Sequence, residues 1–107
     1  MTYRIILAET AESDMYNIHE YVEFHDSLQH ADTLLSGIEQ AITSLKTLPQ
    51  RGHCPPELLR LGNREYHEIH FKPYRIIYAI RAGEVIVNGV LDGRRDIQTL
   101  LQQRLLR

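Results

Sequence analysis

The stretch Tyr74-Arg75-Ile76-Ile77-Tyr78-Ala79-Ile80-Arg81-Ala82-Gly83-Glu84-Val85-Ile86-Val87 decides the fold. β-Branched and aromatic residues fill two runs of strand length, and Ala82-Gly83 between them supplies a tight turn, so Tyr74 to Arg81 and Glu84 to Leu91 are predicted to pair as a hairpin. Upstream, Arg64 to Phe71 has the same character and is separated from Tyr74 by Lys72-Pro73, a second turn signal. Three strands joined by such short turns make an antiparallel meander. By alternation Arg75, Ile77, Ala79 and Arg81 share one face, while Tyr74, Ile76, Tyr78 and Ile80 share the other.

Two amphipathic helices precede the meander. Tyr3 to Ala8 reads as a strand, after which Thr10 with Glu12 and Asp14 offers an N-cap and an acidic first turn for a helix starting near Ala11. Ala11, Met15, Ile18 and Val22 fall on one stripe, with Tyr21 beside it. Asp26-Ser27-Leu28-Gln29 has the form of a capping box, and Leu34, Leu35, Ile38, Ala41, Ile42, Leu45 and Leu48 make the most regular helical stripe in the chain. The two helices are expected to be antiparallel neighbours. Gly37 within the second reads either as a point of close helix approach or as a tolerated cost of about 1 kcal/mol. Pro49, Gly52, Pro55, Pro56 and Gly62 predict an irregular connector. Beyond the meander, Asp92-Gly93 ends the last strand, and Ile97, Leu100, Leu101 and Leu105 have the spacing of a short terminal helix, with Arg104 beside the stripe.

The predicted class is α+β, with both long helices on one sheet face and the whole of residues 1–107 as one domain. Hydrophobic residues at 43% and charged ones at 24% have the ratio of a globular chain. No apolar run approaches the roughly 20 residues of a membrane span, and the first residues lack the apolar stretch of a secretion signal, so the expected address is cytoplasmic, with no membrane partner. Cys54, the single cysteine, excludes an internal disulfide or a cysteine metal cluster and is read as a loop residue. The net charge of −2 hides an asymmetry: residues 1–59 hold three basic side chains against nine acidic, residues 60–107 nine basic against five acidic. A basic half of this size is either a solvated face or a footprint for an acidic partner.

Several residues have chemistry to offer. If the Tyr74 face meets the helices, Arg75 points to an open face, where it would grip an anion bidentately or pair across the strands with Glu68. Asp92-Gly93-Arg94-Arg95-Asp96 joins the last strand to the terminal helix. Its charges either satisfy one another or, with the helix N-terminus, build an anion site. His67 and Glu68 have the types needed for acid–base work but alternate to opposite faces. His67 and His70 also alternate, and His19, His25 and His30 lack ligand spacing, so no metal site is expected.

In order and spacing these residues resemble the RelE/ParE superfamily of bacterial type II toxins. The likeness rests on Ala11-Glu12-Ser13-Asp14-Met15 with Ile18 and Tyr21; Leu48-Pro49 with Gly52; Tyr66-His67-Glu68-Ile69; Pro73-Tyr74-Arg75-Ile76-Ile77-Tyr78; and Asp92-Gly93-Arg94-Arg95-Asp96 with Leu101 and Arg104-Leu105. The resemblance implies one of two activities. RelE-like members cleave messenger RNA on the ribosome; here that role would fall to His67, Glu68, Arg75 and Arg95. ParE-like members poison DNA gyrase. His67 and Ile69 stand where RNA-cleaving members tend to be basic, and Leu100-Leu101 where their terminal tyrosine would be. A chain of net charge −2 also suits a phosphate-lined ribosome poorly.

The expectation is therefore a ParE-like toxin that inhibits DNA gyrase by binding, without a cofactor. The alternatives are a RelE-like endoribonuclease acting on ribosome and mRNA, or a degenerate toxin that mainly forms a complex. Arg75, Arg94, Arg95 and Asp96 are its expected anion-binding surface, with Arg75 and Arg95 close together. A cognate antitoxin, bound in a hetero-oligomer, is expected over the helix pair and sheet edge at Tyr3, Ile18, Tyr21, Val22 and Arg81.

Overall fold

The structure, a computed structural model, describes residues 2–105. Strand β1 (Arg4–Leu7) leads into helices α1 (Glu9–His25) and α2 (Leu28–Thr43). A connector with 3-10 turns at Ser44–Lys46 and Pro49–Arg51 and a one-turn helix α3 (Pro56–Leu59) reaches the meander of β2 (Tyr66–Phe71), β3 (Tyr74–Arg81) and β4 (Glu84–Asp92), and α4 (Ile97–Leu105) follows. Proline opens both the second 3-10 turn and α3, so the stretch expected to be irregular is partly helical; Pro at a first helical position is pre-set for the turn rather than a breaker.

The sheet order is β1-β4-β3-β2, with the meander antiparallel and β1 parallel to β4. The Ala82-Gly83 turn has positive φ at both residues, 47° and 80°, the conformation that matches the twist of a two-residue hairpin. Ala11 and Met15 of α1 and Ile38 and Ile42 of α2 pack with Leu45 on Ile69, Tyr74, Ile76, Tyr78, Val85, Val87 and Val90. No helix among the described residues is long and apolar enough to cross a membrane.

Four expectations need correction. First, helices cover both faces of the sheet: Leu58 of α3 and Ile97 and Leu101 of α4 bury Ile77 and Leu91 on the side that was to be open. Second, α1 begins at Glu9, and the hydroxyl of Thr10 donates to the Asn88 carbonyl (2.7 Å) instead of capping the helix. That carbonyl is available because β4 bulges: Ile77 faces Gly89 while Tyr78 faces Val87, leaving Asn88 as the extra residue. The bulge also brings Val90 to the same core as Val85 and Val87, which strict alternation forbids. Third, Ser27 rather than Asp26 caps α2, accepting from the His30 backbone N–H at 3.0 Å, and Asp26 instead meets the His30 ring at 2.8 Å. Fourth, Leu48 lies beyond the helix and is 61% exposed, because the 3-10 turn at Ser44 changes the residue angle and carries Leu48 off the stripe. Gly37 serves contact with the sheet, not with α1: a Cβ there would lie 2.3 Å from the ring of Phe71.

Candidate functional site

Two polar constellations stand out, and Arg75 belongs to only one. Its Nη1 and Nη2 donate to the two carboxylate oxygens of Glu57 at 2.8 and 2.7 Å, and its Nε donates to Glu68 Oε1 at 2.6 Å. α3 lies over this face and aims Glu57 at the guanidinium, so the expected open position for Arg75 does not exist. Glu68 is 1% exposed, a burial a carboxylate tolerates only when paired and hydrogen-bonded. The paired charges reinforce each other: hydrogen bonds from Arg75 hold the Glu57 carboxyl below its ordinary value, and those to Glu57 push the arginine pKa upward. The other Glu68 oxygen, Oε2, lies 2.8 Å from His53 Nε2 and 3.4 Å from His70 Nε2. His53 reaches it because its backbone forms a two-bond bridge with Glu68, N–H to carbonyl at 3.1 and 2.7 Å.

His67 lies on the other face, its ring stacked on Tyr78 with centroids 5.4 Å apart. Burial lowers its pKa, since desolvation disfavours the imidazolium. His67 and Glu68 therefore cannot meet at one substrate atom.

The second constellation is a groove of about 470 Å³ where the middle of α1 meets the C-terminal ends of β4 and α4; Ile18, Tyr21, Tyr74, Arg94, Arg95 and Arg104 are among its lining residues. Asp14 anchors one wall. Its carboxylate accepts from Arg104 at 2.7 and 2.8 Å and from the Val90 N–H at 2.9 Å, which the bulge has freed from the ladder. Gly89 makes room for this pair: a Cβ would sit 3.0 Å from Arg104 Nη1 and 3.3 Å from Asp14 Oδ2. Asp92 closes on Arg94 through side-chain contacts of 2.9 and 2.7 Å, and those hydrogen bonds are the main reason its pKa falls to about 2.

Arg94 and Arg95 thus share the groove with Tyr21 and Ile18, whereas Arg75 does not line it. Only the stem of Arg75 approaches, passing beside Gly93. Asp96 is no part of an anion site: its carboxylate accepts from the Thr99 N–H (3.2 Å) and hydroxyl (2.7 Å), filling the α4 N-terminus that an anion would use. Arg95 is exposed, and its backbone N–H donates to the Asp92 carbonyl at 3.1 Å. Of the residues expected to meet an antitoxin, Ile18, Tyr21 and the half-buried Val22 lie on α1 toward the groove end. Tyr3 and Arg81 flank the β3–β4 turn at the opposite end, where Arg4 N–H bonds Gly83 O and Arg81 approaches Glu65 at 3.4 Å. Eight residues of β3 separate the two ends, roughly 25 Å.

Reading the sequence missed Glu57, His53, His70 and Asp14 as site residues. Pro55-Pro56-Glu57 carries a helix-start signal that locates Glu57 in a first turn, but nothing local aims it at a residue 18 positions away.

The architecture is shared with a chain of a structure titled "Chromosomal ParDE TA system from P. aeruginosa". That chain is 11% identical, with a TM-score of 0.70 over 83% of this chain and 94% of that one. At such identity the likeness is one of fold, that of a small α+β protein from a toxin–antitoxin pair. The family model described as the ParE toxin of the type II toxin–antitoxin system parDE matches residues 5–97. The chain belongs to this family of toxins. No curated protein matches it.

Proposed function

We propose that this toxin acts by binding DNA gyrase rather than by cutting RNA, and that a cognate antitoxin holds it inactive. The observation that carries the reading is the engagement of Arg75 by Glu57 and Glu68. A guanidinium shared by two carboxylates of its own chain is withdrawn from phosphate, and His67 and Glu68 on opposite faces supply no acid–base pair. What stays accessible is a basic, aromatic-rimmed groove suited to a protein surface. In a supercoiling assay the purified protein should inhibit gyrase, and it should leave mRNA intact on translating ribosomes. Arg95→Ala should weaken gyrase inhibition about tenfold, the worth of one charge-assisted contact, with thermal unfolding nearly unchanged because the residue is exposed. Codon-specific RNA cuts would reverse the choice; inactivity in both assays would favour a role in complex formation alone.

The antitoxin is expected to wrap the molecule, since its predicted contacts lie at both ends of the sheet. β1, an outer strand, offers backbone groups for strand addition, and exposed Tyr21 and Phe24 on α1, 64% and 84% accessible, offer apolar area. Acidic side chains dominate α1, so basic antitoxin residues should lie over the helices and acidic ones near Arg81, Arg94 and Arg95. Affinity should fall with rising salt and with charge reversal in the antitoxin peptide. Indifference to both would mean that apolar contacts dominate.

A further inference from the structure

We infer that His53, Glu68 and His70 form a binding site for a zinc-class divalent transition-metal ion, separate from the groove proposed to meet gyrase. The three ligand atoms lie within 4.8 Å of one another. Glu68 Oε2 is 3.4 Å from His70 Nε2, the separation of two donors bound tetrahedrally at about 2.0–2.1 Å from one zinc ion, and it is hydrogen-bonded to His53 Nε2 at 2.8 Å, a pair that opens by about 0.6 Å when the ion takes the place of the shared proton. The two imidazole rings meet edge to face, with centroids 5.4 Å apart, so both nitrogens converge on the carboxylate without stacking.

The backbone builds this arrangement. Glu68 and His70 are two residues apart on β2 and share a face, while the isolated bridge sets His53 directly across from Glu68. The carboxylate is also held from behind, because Arg75 bonds Oε1 and leaves Oε2 toward the histidines. A hydrogen bond that fixes a ligating carboxylate is the usual outer support of a metal site. Charge favours a cation as well: Glu57, Glu68 and Arg75 together carry −1 in the half-buried cluster, and a dication beside Oε2 offsets it. Two imidazoles and a single carboxylate select zinc, cobalt, nickel or copper over magnesium or calcium, which take oxygen shells. The His53 and His70 side chains are 58% and 50% exposed, so the remaining coordination positions open to water.

The test uses untagged full-length protein stripped with chelator and titrated with Zn²⁺ near neutral pH. One ion per chain should bind, with a rise in thermal midpoint. His53→Ala and His70→Ala should each weaken binding at least about tenfold, no less than the loss of an outer-shell partner, while His25→Ala leaves it unchanged. His53→Ala also removes a hydrogen bond from the buried Glu68 carboxylate, so its metal-free midpoint should fall, whereas His70→Ala loses only a longer 3.4 Å contact and should unfold close to the parent, and its affinity loss then reads the ligand alone. On the parent protein, Zn²⁺ should shift the imidazole nitrogen resonances of His53 and His70 and leave those of His19, His25, His30 and His67 in place. Absence of one-to-one binding, unchanged affinity in both variants, or shifts confined to other histidines would overturn the inference. None of these readouts depends on gyrase.

Discussion

Replacing Arg75 by alanine is expected to lower the free energy of unfolding by about 3–5 kcal/mol, the cost of leaving a buried charge without its partner. The charge in question is Glu68, 1% exposed and bonded through Oε1 to Arg75 Nε at 2.6 Å. Urea denaturation should show the loss as a lower midpoint with little change in slope. The double substitution Arg75→Met with Glu68→Leu should recover part of it, because it removes the fully buried charge together with its partner and leaves only Glu57, which water reaches. Glu57→Gln should cost less, since that carboxylate is 17% exposed and water takes over part of its role. An Arg75→Ala protein within about 0.5 kcal/mol of the parent, the range of an ordinary surface change, would mean that the cluster does not hold the connector to the sheet. Any drop in toxicity of this variant has to be read beside its stability.

Ile77→Ala should cost about 2–5 kcal/mol, as large as the loss from Ile76→Ala on the opposite face. Ile76 is 0% and Ile77 1% exposed, one against α1 and α2, the other against α3 and α4. With a one-sided sheet, Ile77 would face water and its truncation would change stability by about 0.5 kcal/mol or less. The two substitutions remove atoms from separate cores, so any departure from additivity in the double variant measures coupling through the strand that the two residues share. Chemical denaturation of the three proteins checks this directly, and a cheap Ile77→Ala would contradict a second core.

What could be read from local patterns is what depends on local physics. The strands between Tyr66 and Asp92 follow from β-branched runs and two-residue turns, and the pairing of Arg94 with Asp92 spans two residues. The stripe of α2 is legible because apolar residues recur over four turns, and it fails at Leu48, where a 3-10 turn changes the period. By contrast α3 is four residues long, too short to show periodicity, so the covering of the Ile77 face left no pattern to find. The bulge at Asn88 is equally silent until β4 is laid beside β3. Site contacts divide the same way: Asp14 and Arg104 are 90 residues apart and His53 and Glu68 are 15 apart. The types of these residues were visible, but their meeting is a property of the packed chain. The cross-strand pairing of Arg75 with Glu68, one of its two sequence readings, is present in the structure, whereas the second carboxylate, Glu57, comes from the connector and leaves no local signal of the contact.

That last arrangement separates where a functional group sits from whether it is available. The sheet sets the position of the Arg75 guanidinium, and much of its occupancy is decided by a side chain on a single helical turn outside the sheet. Such a turn tolerates sequence change far better than a central strand does. One substitution at Glu57 thus alters the electrostatic character of an entire face while every strand keeps its register. A scaffold wired in this way is able to acquire or retire an anion-handling arginine by drift in a loop, with its hydrophobic cores left untouched.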